Sequence, residues 1–202
     1  MCPMWLKKQF QTSELYLKNP ITLILRISRR SGIMTTKQLI LFSITLLVFI
    51  VVACTKDQVN TVDIELLAKA KDTTGFVWYK YSDTLLSKSA GSGHNEPFLK
   101  TRYNSIAASQ LDSTGKVFVN AQFPEGSLIV KELYDNSTTI GRYAILYKDS
   151  DNDFADANGW IWGYMNADGS IVEATSKKGN ACISCHSQAQ NIDYMLMNTY
   201  FP

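Results

Sequence analysis

The chain has 202 residues, 46% hydrophobic and 19% charged, which excludes a disordered polyelectrolyte and suits one domain plus a leader. Its formal charge of +2 is unevenly spread: residues 1–53 hold seven Lys/Arg against Glu14, a net of +6, and residues 54–202 hold 13 bases and 17 acids, a net of −4. An acidic folded part removes the electrostatic basis for nucleic-acid binding.

Residues 39–53, LILFSITLLVFIVVA, form an apolar run broken only by Ser43 and Thr45, with Lys37 as its basic flank. Fifteen residues are short for a bilayer span, which takes about 20. They fit the core of a secretory signal. Translation from Met34 gives a signal of ordinary length at 34–53, so residues 1–33 are expected to be an over-extended start. Val51-Val52-Ala53-Cys54 resembles the bacterial lipobox, in which small residues precede a cysteine that is diacylated on sulfur. Two acyl chains anchor stably where one is marginal. The expectation is an exported lipoprotein held by Cys54 on the periplasmic face of a bacterial membrane. A plain signal peptide with an incidental cysteine and an uncleaved anchor helix are the alternatives. Residues 54–60 then form a polar tether, and 61–202 the domain.

Ile64, Leu66, Leu67 and Ala70 recur at helical spacing and predict a first helix at 61–71. Residues 76–81 read as a strand or a helical turn, 87–95 as a polar loop with two glycines, and 97–109 as either strand or helix. From Lys116 the pattern is mostly β. KVFVN (116–120), SLIVKEL (127–133), RYAILYK (142–148), WIWGYMN (160–166) and SIVEA (170–174) read as strands, separated by turns at 123–126, 136–137 and 167–169. An acidic loop fills 149–159, and a final helix is expected at about 181–197.

That last segment contains Cys182-Ile183-Ser184-Cys185-His186, a C-x-x-C-H motif in an exported and therefore oxidising setting. It reads as covalent attachment of haem c. Two thiols three residues apart share a helical face and can add to the two vinyl groups, while His186 reaches the iron. Zinc would need a fourth ligand. A thioredoxin-like pair would follow an early strand, whereas only sixteen residues follow His186. A disulfide closing so small a loop would stabilise little. Met195 and Met197 lie nine and eleven residues beyond His186 on the same expected helix, so they do not readily reach the opposite face of the ring. The sixth position is then open or filled by His94, the one other histidine. An open position implies small-molecule binding rather than pure electron relay. The expected fold class is α+β, mostly antiparallel sheet, with an N-terminal helix and a C-terminal haem-bearing helix. The turns and alternating aromatics of 116–174 exclude a four-helix-bundle cytochrome.

An ordered set of residues resembles the cytochrome P-460 family, which includes the cytochromes c′-beta. It runs Phe123-Pro124-x-Gly126-Ser127-x-Ile129-Val130-Lys131-Glu132-Leu133, Tyr147-Lys148-Asp149, Gly159-Trp160-x-Trp162-Gly163 and Asp168-Gly169. It ends with Cys182-x-x-Cys185-His186-x-x-Ala189-x-x-x-Asp193, and His94 and Arg102-Tyr103-Asn104 with Ala107 extend it upstream. The resemblance implies five-coordinate haem with His186 proximal, often in a dimer, and a small gaseous or nitrogenous ligand. One branch oxidises hydroxylamine at a haem cross-linked to a lysine, for which Lys131 and Lys116 are the candidates here. The other binds nitric oxide and carbon monoxide in a phenylalanine-lined pocket. The competing function is a membrane-tethered, six-coordinate electron-transfer cytochrome with His94 as ligand; a redox partner protein is expected in either case.

Further candidates have plainer readings beside them. Asp149-x-Asp151-x-Asp153 mimics a calcium loop, but Phe154 and Trp160 stand where such a loop wants Gly and Glu, so a solvated loop is favoured. Trp160 and Trp162 could line a pocket or pack a core. Phe118 and Phe123 could cap the distal haem face. Lys177 and Lys178 could meet a propionate or sit in a solvated turn.

Overall fold

The computed structural model describes residues 59–202; the apolar run at 39–53 and Cys54 lie outside the described residues. Among the described residues no helix is long and apolar enough to cross a membrane.

Helix α1 spans Thr61–Lys71, as its spacing predicts. The Asn60 side chain accepts from Asp63 N–H while the Asp63 carboxylate accepts from Asn60 N–H, a reciprocal cap that satisfies two orphan donors. Asp63 also accepts from the backbone and hydroxyl of Thr175, at 2.9 and 2.8 Å. Those bonds turn Asp63 inward beside Leu66, Leu67 and Ala70 and roll Ile64 outward, where it is 60% exposed. The expected apolar face is therefore corrected at Ile64.

The strands are β1 (Val77–Trp78), β2 (Leu86–Ser87), β3 (Phe98–Tyr103), β4 (Leu128–Tyr134), β5 (Ile140–Lys148), β6 (Trp160–Asn166) and β7 (Ile171–Glu173). They form one antiparallel sheet in the order β1-β3-β4-β5-β6-β7, with β2 also paired to β3. The two ambiguous segments each prove to be both things: β1 runs into a 3-10 turn at Tyr79–Tyr81, and β3 into α2 at Ser105–Ala108.

Alternation gives the sheet two apolar faces. One carries Leu128, Val130, Tyr143, Ile145, Ile161 and Met165 and is covered by α1. Gly163 permits this close approach, because a Cβ there would lie 2.7 Å from Leu66 Cδ2. At the edge of the α1 layer, fully buried Arg102 pairs with Glu132 at 2.9 Å and donates to the carbonyls of Ala70 and Asp72, tying the end of α1 to β3 and β4. The opposite face carries Tyr103, Ile129, Leu133, Leu146, Trp160 and Trp162 and is covered by loops and the chain after β7.

Two expected elements do not form. Residues 116–120 are not a strand: Val117 bridges only Leu111, and Phe118 and Val119 are 50% and 80% exposed. The Asn198 side-chain amide takes the place of a partner strand, donating to Val117 C=O at 2.7 Å and accepting from Val117 N–H at 3.2 Å. The expected helix at 181–197 is reduced to one turn, α3 (Ile183–His186), and after an irregular stretch a second turn follows, α4 (Met197–Tyr200). Gln190, Asp193 and Tyr194 adopt left-handed backbone angles between them, and the Asn191 side chain accepts from Tyr194 N–H. Short polar side chains that bond locally to the backbone compete with helix in this way.

Candidate functional site

On the sheet face away from α1 lies a cavity of about 340 Å³, within the range of small-molecule and cofactor pockets. Its floor is a cross-strand row, Thr101–Lys131–Ala144–Tyr164–Glu173, one residue from each of β3 to β7. Ile129, Leu146 and Trp162 line it from the adjacent row. The chain after β7 supplies Cys182, Cys185, His186, Met195 and Met197, and the 87–95 loop supplies His94.

The broken helix decides how His186 is held. Because the backbone reverses at Asp193 and Tyr194, the Tyr194 carbonyl turns back to His186 Nδ1 at 2.8 Å. A carbonyl only accepts, so the ring carries its proton on Nδ1 and keeps the Nε2 lone pair. Burial and then Lys131 push its pKa down to about 4, so the imidazole is neutral. The edge-on ring of Trp162, 5.3 Å away, packs against it. Gly179, at φ +71°, lets the chain cross Trp162 just before the cysteines; a Cβ there would lie 2.5 Å from the indole.

Asp193 and Asp156 anchor this arrangement. Asp193 accepts from Trp160 Nε1 at 2.9 Å and from Phe123 N–H at 3.0 Å, and Asp156 accepts from Trp162 Nε1 at 2.8 Å. Cys182 and Cys185 are thiols, not a disulfide. Burial, with Glu173 and Cys185 adding to it, raises Cys182 to about 11.

Of the two candidate lysines, Lys131 is on the cavity floor and Lys116 is outside it, in the turn capped by Asp112. Lys131 is half-buried, and burial lowers its pKa to about 8, against an opposing pull from Cys185. His94 faces the same cavity as His186. Met195 and Met197 do line the cavity, but the Met197 sulfur accepts from Thr101 Oγ1 at 3.3 Å. Trp162 lines it too, whereas Trp160 is buried in the core behind it.

Neither phenylalanine expected to cap the distal face lies there: Phe118 is on the surface, and Phe123 stacks on Tyr103 and meets Trp160 edge-on. Lys177 and Lys178 border a separate depression beside residues 155–157. Among the described residues no three His, Cys, Asp or Glu side chains converge on a metal position. Sequence reasoning missed Thr101, Tyr164 and Glu173. Only the strand alternation could have placed them, once β3, β6 and β7 were paired.

Compared with known proteins, residues 78–197 match the Cytochrome P460 family. The chain belongs to the cytochrome P460 family. No curated protein and no solved structure matches it. The cytochrome P460 match starts at the end of β1 and stops on entering α4, so it includes the cavity floor and the C-x-x-C-H turn and omits α1.

The residues present fit the haem c associated with that family. The cavity walls are largely apolar, two thiols not joined in a disulfide stand on one wall, and the His186 imidazole offers one lone pair. Such a set does not cage a bare ion, but it would suit an iron whose remaining ligands come from a porphyrin. The carbonyl on the far nitrogen is the usual second partner of a metal-binding histidine.

Proposed function

We propose that the protein is an exported monohaem c-type cytochrome, held to the membrane through Cys54, that binds or oxidises small nitrogen species at an open iron position. The observation that carries this reading is His186, half-buried and neutral, its Nδ1 fixed by Tyr194 and its Nε2 lone pair left over, beside two thiols in a largely apolar cavity.

Cys182 and Cys185 would hold the haem through thioether bonds, and His186 would ligate its iron. Bound there, haem supplies a redox-active metal with one position for a small ligand such as nitric oxide or hydroxylamine. Tyr194 fixes the ligand's ring and tautomer. Ile129, Leu146, Met195 and Leu196 keep bulk water out, which strengthens every polar interaction within the cavity. Lys131 is the lysine placed to face the haem and is the better candidate for the cross-link of the hydroxylamine-oxidising branch.

His94 in the same cavity supports one competing reading, a six-coordinate electron carrier. Spectra of the purified ferric and ferrous protein, with and without nitric oxide, separate the two. A high-spin haem that binds nitric oxide is expected. A low-spin haem that becomes high-spin in His94→Ala would establish the electron carrier instead. Turnover of hydroxylamine with an electron acceptor then assigns the branch.

A further inference from the structure

We infer that His94 is held as its Nε2–H tautomer and donates a hydrogen bond into the cavity, so that it grips the ligand and not the iron. This deepens the haem reading above and rests on it.

The argument follows the direction of a hydrogen-bond chain. Arg142 Nη1 donates to the Tyr164 hydroxyl at 3.0 Å, and a guanidinium has no lone pair with which to accept in return. On the other side of that hydroxyl stands His94 Nδ1 at 3.3 Å. The tyrosine proton is thus directed to His94, whose Nδ1 accepts it and whose own proton lies on Nε2. The reverse assignment would turn two donors on one oxygen and leave the tyrosine proton with no acceptor among the groups bonded to that hydroxyl.

The chain is rigidly aimed. Arg142 lies over the Tyr164 ring at 4.8 Å, donates from Nε to Asn166 at 2.9 Å and pairs with buried Glu96 at 3.0 Å. Glu96 is two residues from His94, so one ion pair both orients Arg142 and pins the loop that presents the histidine. Burial first, and then Lys131, His186, Lys88 and Arg142, disfavour a second proton on His94, while the acid beside it, Glu96, is taken up by Arg142. The two cavity histidines are therefore opposites. His186 faces a carbonyl and keeps a lone pair for iron; His94 faces a directed hydroxyl and keeps an N–H for the ligand. Such a donor stabilises partial negative charge on the outer atom of a bound nitrosyl, carbonyl or hydroxylamine.

The test is the infrared C–O stretch of the ferrous carbonyl complex of the intact haem protein. A donor to the outer oxygen lowers this frequency. His94→Ala is expected to raise it and to weaken ligand binding roughly two- to tenfold. His94→Gln, which restores an N–H, is expected to return it part-way. Arg142→Gln and Tyr164→Phe, which alter positioning residues only, are expected to split or raise the band without removing haem. A small band shift in heavy water, present in the native protein and absent in His94→Ala, would support the donor directly. An unchanged frequency in His94→Ala and His94→Gln would overturn the inference and leave the haem reading intact. A native low-spin haem that turns high-spin in His94→Ala would overturn both the inference and the open position.

Discussion

Replacing Arg102 with methionine keeps much of the side chain's bulk and removes the charge that joins α1 to the sheet. Glu132 Oε1 loses its partner at 2.9 Å, while Oε2 keeps the Tyr134 hydroxyl at 2.8 Å. The Ala70 carbonyl loses its donor inside the protein, and the Asp72 carbonyl, nearer the surface, can turn to water. Breaking a buried pair from one side costs about 3–5 kcal/mol. An orphaned buried carbonyl adds about 1 kcal/mol. The expected loss is therefore about 4–6 kcal/mol, a large part of a typical total of about 5–15 kcal/mol. Urea unfolding followed by far-ultraviolet circular dichroism measures it. The double variant R102M/E132M leaves no uncompensated charge and is expected to recover about 2 kcal/mol or more relative to R102M. A loss below about 1 kcal/mol in R102M, or a double variant no better than the single, would refute the reasoning.

Three further outcomes are expected. His186→Ala should retain haem on Cys182 and Cys185 but lose its axial ligand, and imidazole in solution should restore the native absorption spectrum; no response to imidazole would count against His186 as ligand. Peptide mapping of the mature protein should find Lys116 unmodified, so that any lysine joined to haem is Lys131; modification at Lys116 would contradict the placement. Burial holds the pKa of His94 to about 2, below the unfolded value near 6.5. Between those values the unfolded chain binds protons that the folded chain does not, so stability is full above about pH 6.5 and falls as pH drops below it. The slope contributed by His94 is up to about 1.4 kcal/mol per pH unit. His94→Gln should reduce that slope between about pH 6 and 4, and an unchanged slope in urea titrations would place His94 in ordinary solvent.

Regular elements were legible where the period was strong. Helix α1 and strands β4 to β6 match their patterns closely, because apolar residues there recur at 3.6 or 2 and, Ile64 apart, meet an opposing layer. Residues 116–120 alternate just as well, yet no strand is beside them, and an asparagine 81 residues away completes Val117 instead. Alternation specifies a face and leaves the partner undetermined. The final helix failed for a local reason: Asn191 and Asp193 carry side chains that bond back to nearby backbone or to Trp160, and the chain reverses.

The candidate site was legible in its chemistry and not in its geometry. The C-x-x-C-H spacing is local, so Cys182, Cys185 and His186 could be named from sequence alone. That Lys131 and not Lys116 faces them depends on the register of β4 between β3 and β5, a long-range property. The same holds for the Arg142–Tyr164–His94 chain, whose members lie on three separate segments. Asp193 is the clearest case. It lies within the residues matched to the family, but its work, joining Trp160 and the Phe123 backbone, is visible only in the fold.

Mass spectrometry of the mature protein, produced in a host that attaches haem to C-x-x-C-H motifs, bears most directly on the whole account. The intact chain is expected to carry the added mass of one haem, mapped to the peptide containing Cys182 and Cys185 and lost when both are replaced by alanine. A mature chain with two unmodified thiols and no bound tetrapyrrole would contradict the account.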